Sequence, residues 1–468
     1  METPVKQALP LESAGFKKSC LWVALAVGCF QAAYTSVNHL VLGLFIFGYV
    51  YFLVRLTDQP SVKRAFYFGL VTGYLCYAPQ ALFMWRIFSV ASVILWLVLA
   101  FWTGLFAAIV CGCIRRWGKA RTMWLAPVVW TGVEYFRSEL YFLKFSWLNI
   151  GYALPPWLNG AGMYGVGFLA FAAVIIFRQR QLIFDHIKKP SRLEIVLAVV
   201  SLIVLAILSV PLLAEEKVRA GKPVNLVGVQ LEFPPAGILP KVLNQTLAKN
   251  TNADIFVLSE YTLNSGVPEA LKDWCRENGK YLVIGGEEIV TNSIYYNTVF
   301  VVGTNGDIVF KQAKSVPIQF FRDGLPATKQ EVWESPWGKI GICICYDLSY
   351  TRVTDELVRQ GAQLLIVPTM DVESWGRHQH ELHARVAPVR AAEYGVPIFR
   401  LASSGISQAV NGHGTVVART KMGGNGEVMA AQLRMPRRGV LPWDRVLAPV
   451  CTGVTGLAVV VLLLWKRK

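Results

Sequence analysis

Long apolar runs fill the first half of the chain and short ones fill the second. Runs of bilayer-spanning length lie at about 20–37, 38–55, 65–85, 88–113, 122–136, 160–177 and 194–214. The first two are nearly continuous and, split near residues 36–39, read as a tight hairpin. The fifth ends at Glu134 and Arg137, which are expected to form a structural pair at the membrane face. From residue 222 the pattern changes. Apolar runs shorten to strand length (VNLVGVQL, DIFVLSE, YLVIGGEEI, NTVFVVG, IGICICY, AQLLIVP and VPIFRLA), with Gly, Pro, Asn and Asp between them. Helix-compatible stretches such as PEALKDWCRENGK and SYTRVTDELVRQGA alternate with several of these runs. Residues 222–440 therefore predict one layered α/β domain of roughly 220 residues, a normal size for a single core. A last apolar run, 446–464, is again long enough to span a bilayer and is followed by WKRK.

Composition supports this division. A soluble chain of 468 residues would suggest about three domains. Here 54% of residues are hydrophobic and the mean hydropathy is +0.42, which points to a bilayer. The formal charge of +16 invites a nucleic-acid partner. The basic residues, however, sit in short runs beside apolar segments, and no nucleic-acid motif accompanies them, so none is expected.

Charge also sets a topology. With Lys17 and Lys18 in the cytoplasm, three basic groups fall on that side: Arg55, Lys63 and Arg64; Arg115, Arg116, Lys119 and Arg121; Arg178, Arg180, Lys188, Lys189 and Arg192. Seven crossings then place residue 215 outside. The expected organisation is a cytoplasmic N-terminus (1–18), a membrane domain of about seven helices (19–214), an outer-face catalytic domain (215–445), and a C-terminal transmembrane helix with a basic cytoplasmic tail (446–468). The basic N-terminus is not read as a cleaved signal, because apolar segments follow one another at once and no small-residue cleavage site stands out. The aromatic loop 137–159 is either an interfacial belt or a lipid-facing wall of a site.

The nine cysteines form no paired framework and no metal-type spacing, and an odd number leaves at least one thiol without an intramolecular partner. Cys345 ends an apolar run and precedes Tyr346 and Asp347. Glu260 ends DIFVLSE, where a carboxylate is costly to bury unless paired. KQAKSVP carries Lys311 and Lys314. A thiol, a carboxylate and an amine together can form a covalent catalyst: nucleophile, proton carrier and oxyanion stabiliser. Cys343, two residues before Cys345 in an expected strand, shares its face and is expected to pack in the core. Asp371 and Trp375 are placed in a mobile loop, with Trp375 a lid residue touching lipid or an ordinary exposed aromatic. His378, His380 and His383 lack the carboxylate or thiol that would complete a metal site, so no metal or cofactor is implied. Glu393 is expected to orient groups near the site or cap a helix.

These motifs resemble a known family. VNLVGVQLEFPP, CYDLSY, GAQLLIVPTMD, HARVAPVRAAEYGVPIFRLASSGIS and the turn NGHG resemble the nitrilase (carbon–nitrogen hydrolase) superfamily. With VEYFRS, FSWLNIGYAL and GMYGVGFLAF, about residues 20–464 resemble the bacterial apolipoprotein N-acyltransferase family. The resemblance implies an αββα sandwich joined to a polytopic helical membrane domain in the bacterial inner membrane, with catalysis on the periplasmic side. It also implies a Glu-Lys-Cys triad, here Glu260, Lys314 and Cys345. In that chemistry the thiol takes an acyl group from a phospholipid as a thioester and passes it to the α-amine of a diacylglyceryl-cysteine lipoprotein.

By this resemblance the chain reads as a divergent member. Lys314 is chosen over Lys311 although the family's spacing to proline fits neither, Asp323 stands in for a missing glutamate, and Cys-Tyr-Asp replaces Cys-Tyr-Glu. SEYTLN replaces the usual Trp-Pro-Glu. Two other functions compete. A membrane-tethered nitrilase-type amidase or hydrolase would use water as acceptor, but a simple amidase needs no such membrane part. A noncatalytic polytopic protein would leave the Glu260–Lys314–Cys345 set unexplained.

Overall fold

The computed structural model describes residues 15–35, 42–187, 222–291, 294–436 and 438–464. The expected N-terminal segment before residue 15, the hairpin split, the span 194–214 with its basic approach, and the WKRK tail lie outside the described residues.

The N-terminal part is helical. Its main helices are Phe16–Thr35, Phe45–Arg55, Val62–Gln80, Ala91–Trp117, Ala126–Tyr135 and Met163–Ile187. Among the described residues two helices are long and apolar enough to cross a membrane, Ala91–Trp117 and Asp444–Leu464. Val62–Gln80 lies against Ala91–Trp117 through glycines: a Cβ on Gly69 would sit 2.8 Å from Thr103 O, and one on Gly73 2.9 Å from Ala100 O. Small residues let two backbones approach this closely.

The expected run 65–85 is not one helix. It stops at Gln80, and the short helix Phe83–Phe88 follows. Pro79 has no N–H for the carbonyl four residues back. Gln31 Nε2 fills that gap, donating to Leu75 O at 2.9 Å and to Cys76 O at 3.0 Å. The fifth run also differs: Ala126–Tyr135 continues into a wider π turn, Phe136–Leu140.

Twelve strands build the second part: β1 (Lys222–Leu231), β2 (Ile255–Val257), β3 (Tyr281–Thr291), β4 (Ile294–Val302), β5 (Ile308–Ala313), β6 (Val332–Ser335), β7 (Gly338–Ile342), β8 (Leu364–Thr369), β9 (Ile398–Ala402), β10 (Gln408–Val410), β11 (Val416–Arg419) and β12 (Asn425–Met435). They form two six-stranded sheets, in the orders β12-β1-β2-β3-β4-β5 and β11-β10-β9-β8-β7-β6. The middle strands β1–β2–β3 and β7–β8–β9 run parallel. Leu226, Ile255, Val283, Ile340, Ile366 and Leu401 fill the space between the sheets. Helices Leu239–Lys249 and Glu269–Asn278 cover the first sheet through Leu243, Leu271 and Trp274. Helices Thr351–Arg359 and Val386–Tyr394 cover the second, and their apolar side chains join one core cluster with the N-terminal helices. The result is a nitrilase-like αββα sandwich whose second helix layer rests on the helical part.

Candidate active site

Parallel strands place their C-terminal ends side by side, and loops there carry chemistry. Glu260 follows β2, Cys345 follows β7 and Met370 follows β8. The expected strand through Cys345 ends earlier, at Ile342, and residues 345–349 make one tight 3₁₀ turn. Cys343 and Cys345 therefore do not share a face. Cys343 packs toward the helices, and Cys345 toward the space between the sheets. Cys345 itself has φ +52°, a sparsely populated conformation that a non-glycine residue holds only when its surroundings force it. Among the described residues, Tyr261 (φ +52°) and Phe320 (φ +67°) share this feature at the same site.

Asp347 supplies part of that force. Its carboxylate accepts from the backbone N–H groups of Ile344 (3.2 Å), Ser315 (3.0 Å) and Val316 (2.7 Å). Burial pushes this carboxyl up to about 6, against the pull of Lys314 and those N–H groups.

Lys314 lies between two carboxylates. Its Nζ is 2.8 Å from Glu260 Oε1 and 2.7 Å from Asp323 Oδ2, and Lys314 and Glu260 are fully buried. Asn297 Nδ2 donates to Glu260 Oε1 (2.7 Å) and to Asp323 Oδ1 (2.9 Å). Tyr261 OH donates to Asp323 Oδ1 (2.8 Å), and the Met370 N–H donates to Glu260 Oε2 (2.7 Å). Burial favours loss of the Lys314 proton, but the two carboxylates outweigh it and hold the ammonium well above the usual lysine range. Burial raises Glu260, Asp323 raises it further, and Lys314 opposes both. The Cys345 thiol is pushed well up by burial and then by Glu260, so its resting form is the neutral thiol. Lys311 is elsewhere, exposed on β5 and paired with Glu288.

The other expected residues have definite places. Trp375 meets Phe321 edge-on, with ring centres 6.0 Å apart. With Phe83, Leu99, Trp147 and Tyr346 these two line a largely apolar cavity of about 120 Å³. Tyr346, which follows Cys345 in the chain, forms part of that cavity's wall. The aromatic loop 137–159 folds inward: Trp147 Nε1 donates to Ser349 Oγ at 2.9 Å, and its ring stacks on His383 at 4.6 Å.

Asp371 is not in a loose loop. It is fully buried, 2.6 Å from Arg400 Nη2 and 2.8 Å from His383 Nδ1. Burial would raise its carboxyl, yet His383 and Arg400 hold it below the usual carboxylate range. His380 Nε2 lies 3.0 Å from Val372 O, and among the described residues no cluster of His, Cys, Asp or Glu could hold a metal ion. Glu393 reaches the turn through Arg390: it lies 2.6 Å from Arg390 Nη1, and Arg390 donates to Leu348 O (3.1 Å) and Ser349 O (2.8 Å). Glu134 and Arg137 make no ion pair with each other. The Ile150 N–H donates to Glu134 (3.1 Å), and Arg137 donates to Asn149, so both fasten the loop after residue 148.

Sequence reasoning missed Asn297, Tyr261, Arg390 and the Met370 N–H. Asn297 left one trace, a polar side chain opening the apolar run NTVFVVG.

Residues 18–176 match the apolipoprotein N-acyltransferase N-terminal domain, and residues 213–440 match the carbon-nitrogen hydrolase family. The chain is 24% identical over 486 aligned positions to an apolipoprotein N-acyltransferase of Geobacter metallireducens, covering 89% of this chain and 90% of that one. It is 23% identical to one from Haemophilus ducreyi, covering 69% and 72%. A deaminated glutathione amidase of Dictyostelium discoideum is 31% identical over 24% of this chain and 43% of its own length. Among solved structures, Saccharomyces cerevisiae Nit3, of the nitrilase superfamily, aligns with a TM-score of 0.40 and 20% identity over 46% of this chain and 90% of that one.

Proposed function

We infer that this chain, which belongs to the apolipoprotein N-acyltransferase family within the carbon-nitrogen hydrolases, transfers a fatty acyl group from a membrane phospholipid to the N-terminal amine of a diacylglyceryl-cysteine lipoprotein. The observation that carries the reading is the buried Lys314–Glu260 pair beside Cys345, whose chain neighbour Tyr346 lines an apolar cavity walled partly by the helical part.

The proposed chemistry uses one proton carrier in both halves. Glu260 takes the thiol proton as sulfur attacks the ester carbonyl, and Lys314 stabilises the oxyanion that forms. Collapse of the intermediate expels the lysophospholipid oxygen, which takes the proton from Glu260, and leaves a thioester on Cys345. In the second half Glu260 deprotonates the incoming amine. The amide forms, the sulfur leaves and is reprotonated. Asp323 and Asn297 act on the pair rather than on substrate. They keep Lys314 charged and Glu260 aimed. The acyl chain occupies the cavity between Trp147, Tyr346 and Trp375, which shields the thioester from water.

The proposed setting is the bacterial inner membrane, crossed several times, with the sandwich on the periplasmic side. The two long apolar helices and the basic clusters support it. Incubation with acyl-labelled phospholipid and no acceptor should leave label on the protein that neutral hydroxylamine releases, and Cys345→Ala should carry none. A diacylglyceryl-cysteine peptide should then move the label into an amide. Label that reaches Cys345 but ends only as free fatty acid would favour the hydrolase instead.

A further inference from the structure

β8 and β9 run parallel into the active site, with Thr369 beside Ala402. Just past their ends, Ser403 makes two bonds to the segment that follows β8. Its N–H donates to Thr369 O at 3.0 Å, and its Oγ accepts from the Asp371 N–H at 3.0 Å. Those two groups are the far ends of the peptide units that meet at Met370. The near ends point at the catalytic groups. The Met370 N–H donates to Glu260 Oε2 at 2.7 Å, and the Met370 carbonyl accepts from Cys345 Sγ at 3.7 Å. A peptide unit is planar, so fixing one end sets the direction of the other.

Asp371 keeps the same segment from swinging. Its carbonyl accepts from Ser403 Oγ (3.1 Å) and from the Ser404 N–H (3.1 Å). Its carboxylate lies 2.6 Å from Arg400 Nη2 and 2.8 Å from His383 Nδ1, and Gln379 Nε2 donates to it at 3.1 Å. Gly405 leaves room for that carboxylate, because a Cβ there would sit 2.6 Å from Asp371 Cβ. Ser403 itself is buried.

We propose that Ser403 is a positioning residue for acyl transfer: it aims the Met370 N–H at Glu260 and the Met370 carbonyl at Cys345, so that base and nucleophile share one backbone reference. This inference rests on the roles given above to Glu260 and Cys345. A hydrogen bond to the ionised carboxylate favours that form, and losing the bond disfavours it. The groups that face Glu260 are Lys314, Asp323, Asn297 and Cys345. Those that face Asp371 are His383, Arg400 and His380. Ser403→Ala alters none of these charges, so a change in the pH profile reports the aim of the Met370 N–H.

The test measures single-turnover acylation of Cys345 from acyl-labelled phospholipid across pH, with the full chain in non-ionic micelles. In Ser403→Ala the acid side of the profile should move up by about one pH unit, the effect of one donor lost from a carboxylate that has few. Donor binding should be unchanged, because the cavity wall is made by other residues. Ser403→Thr keeps the hydroxyl and should restore the parent profile. Gly405→Ala displaces Asp371 without changing charge and should shift the profile in the same direction, which keeps the test open if Ser403→Ala does not fold. A folded variant that loses rate with its acid side unmoved would make Ser403 a purely structural residue and overturn the proposal. Ser403→Ala should also act in a His383→Gln background; no shift there would assign the acid side to His383 and overturn it too. A parent protein that takes up no label would overturn the acyl-transfer reading itself, whereas a labelled parent with an unmoved variant overturns this inference alone.

Discussion

Trp147 donates its indole N–H to Ser349 Oγ at 2.9 Å across 202 positions of sequence. This bond ties the aromatic loop of the helical part to the turn that starts at Cys345. It makes one wall of the cavity and the backbone of the Cys345 turn parts of the same packed unit. Trp147→Phe keeps a ring and loses one hydrogen bond worth about 1 kcal/mol, so thermal stability should fall only slightly. Trp147→Ala opens the wall at a cost of about 3–5 kcal/mol. It should raise the share of acyl group lost as free fatty acid relative to amide product, measured by chromatography of the labelled products.

Lys314 and Lys311 separate by their surroundings. Lys314→Ala leaves two buried carboxylates without their cation, a loss of about 3–5 kcal/mol for a broken buried pair. It should also abolish formation of the Cys345 thioester. Lys311→Ala removes an exposed pair with Glu288, worth less than about 1 kcal/mol, and should keep most of the activity. Thioester yield in both variants decides; the reverse pattern would move the role to Lys311.

The acid side of the pH profile should report Glu260. It must be ionised to accept the thiol proton, and burial with Asp323 raises its pKa. The acylation rate should therefore fall as pH drops, beginning above the ordinary glutamate value of about 4.3. Asp323→Asn removes a charge that raises Glu260, so the acid limb should move to lower pH. A limb that stays in place or moves upward would remove Glu260 from that role.

Gly285 on β3 leaves no room for a side chain against the end of β2. A Cβ there would sit 2.6 Å from Glu260 Cα and 2.7 Å from Ser259 O. Gly285→Ala must push Glu260 aside, and with Glu260 as the proposed proton carrier a displacement near 1 Å there costs about a hundredfold in rate. Single-turnover acylation should fall by about that factor with donor binding retained.

Topology has its own test. A reporter inserted at Gly303, in the turn between β4 and β5, should read the outer face, and one at the C-terminus the cytoplasm. A cytoplasmic reading at Gly303 would overturn the arrangement of basic loops on which the orientation rests.

Much of this protein was legible locally. The change from long to short apolar runs near residue 222 separated the helical part from the sandwich. The runs containing Glu260 and Cys345 were placed at strand ends, although β7 stops three residues before the thiol. Boundaries failed where distant groups intervene. Pro79 ends a helix whose open carbonyls are met by Gln31, 48 residues before it. Glu134 and Arg137 looked like a pair by spacing but bind a loop that lies next to them only after folding.

The sequence by itself determined the two-part architecture, because apolar run length and alternation reflect how each segment is buried. It also narrowed the cation to two lysines, three residues apart. Side chains of opposite parity point to opposite sides of a strand, so one of the pair had to face inward. Which one depended on packing. Gln312 and Lys314 turn into the sheet interior while Lys311 faces solvent. Only the pairing of β5 with β4, which brings the Lys314 N–H to Asn297 O at 2.8 Å, sets the ammonium between Glu260 and Asp323. Those carboxylates lie 54 residues before and nine after Lys314. A charge is stable there only because both surround it at once, and that condition exists in the folded chain and not along the sequence.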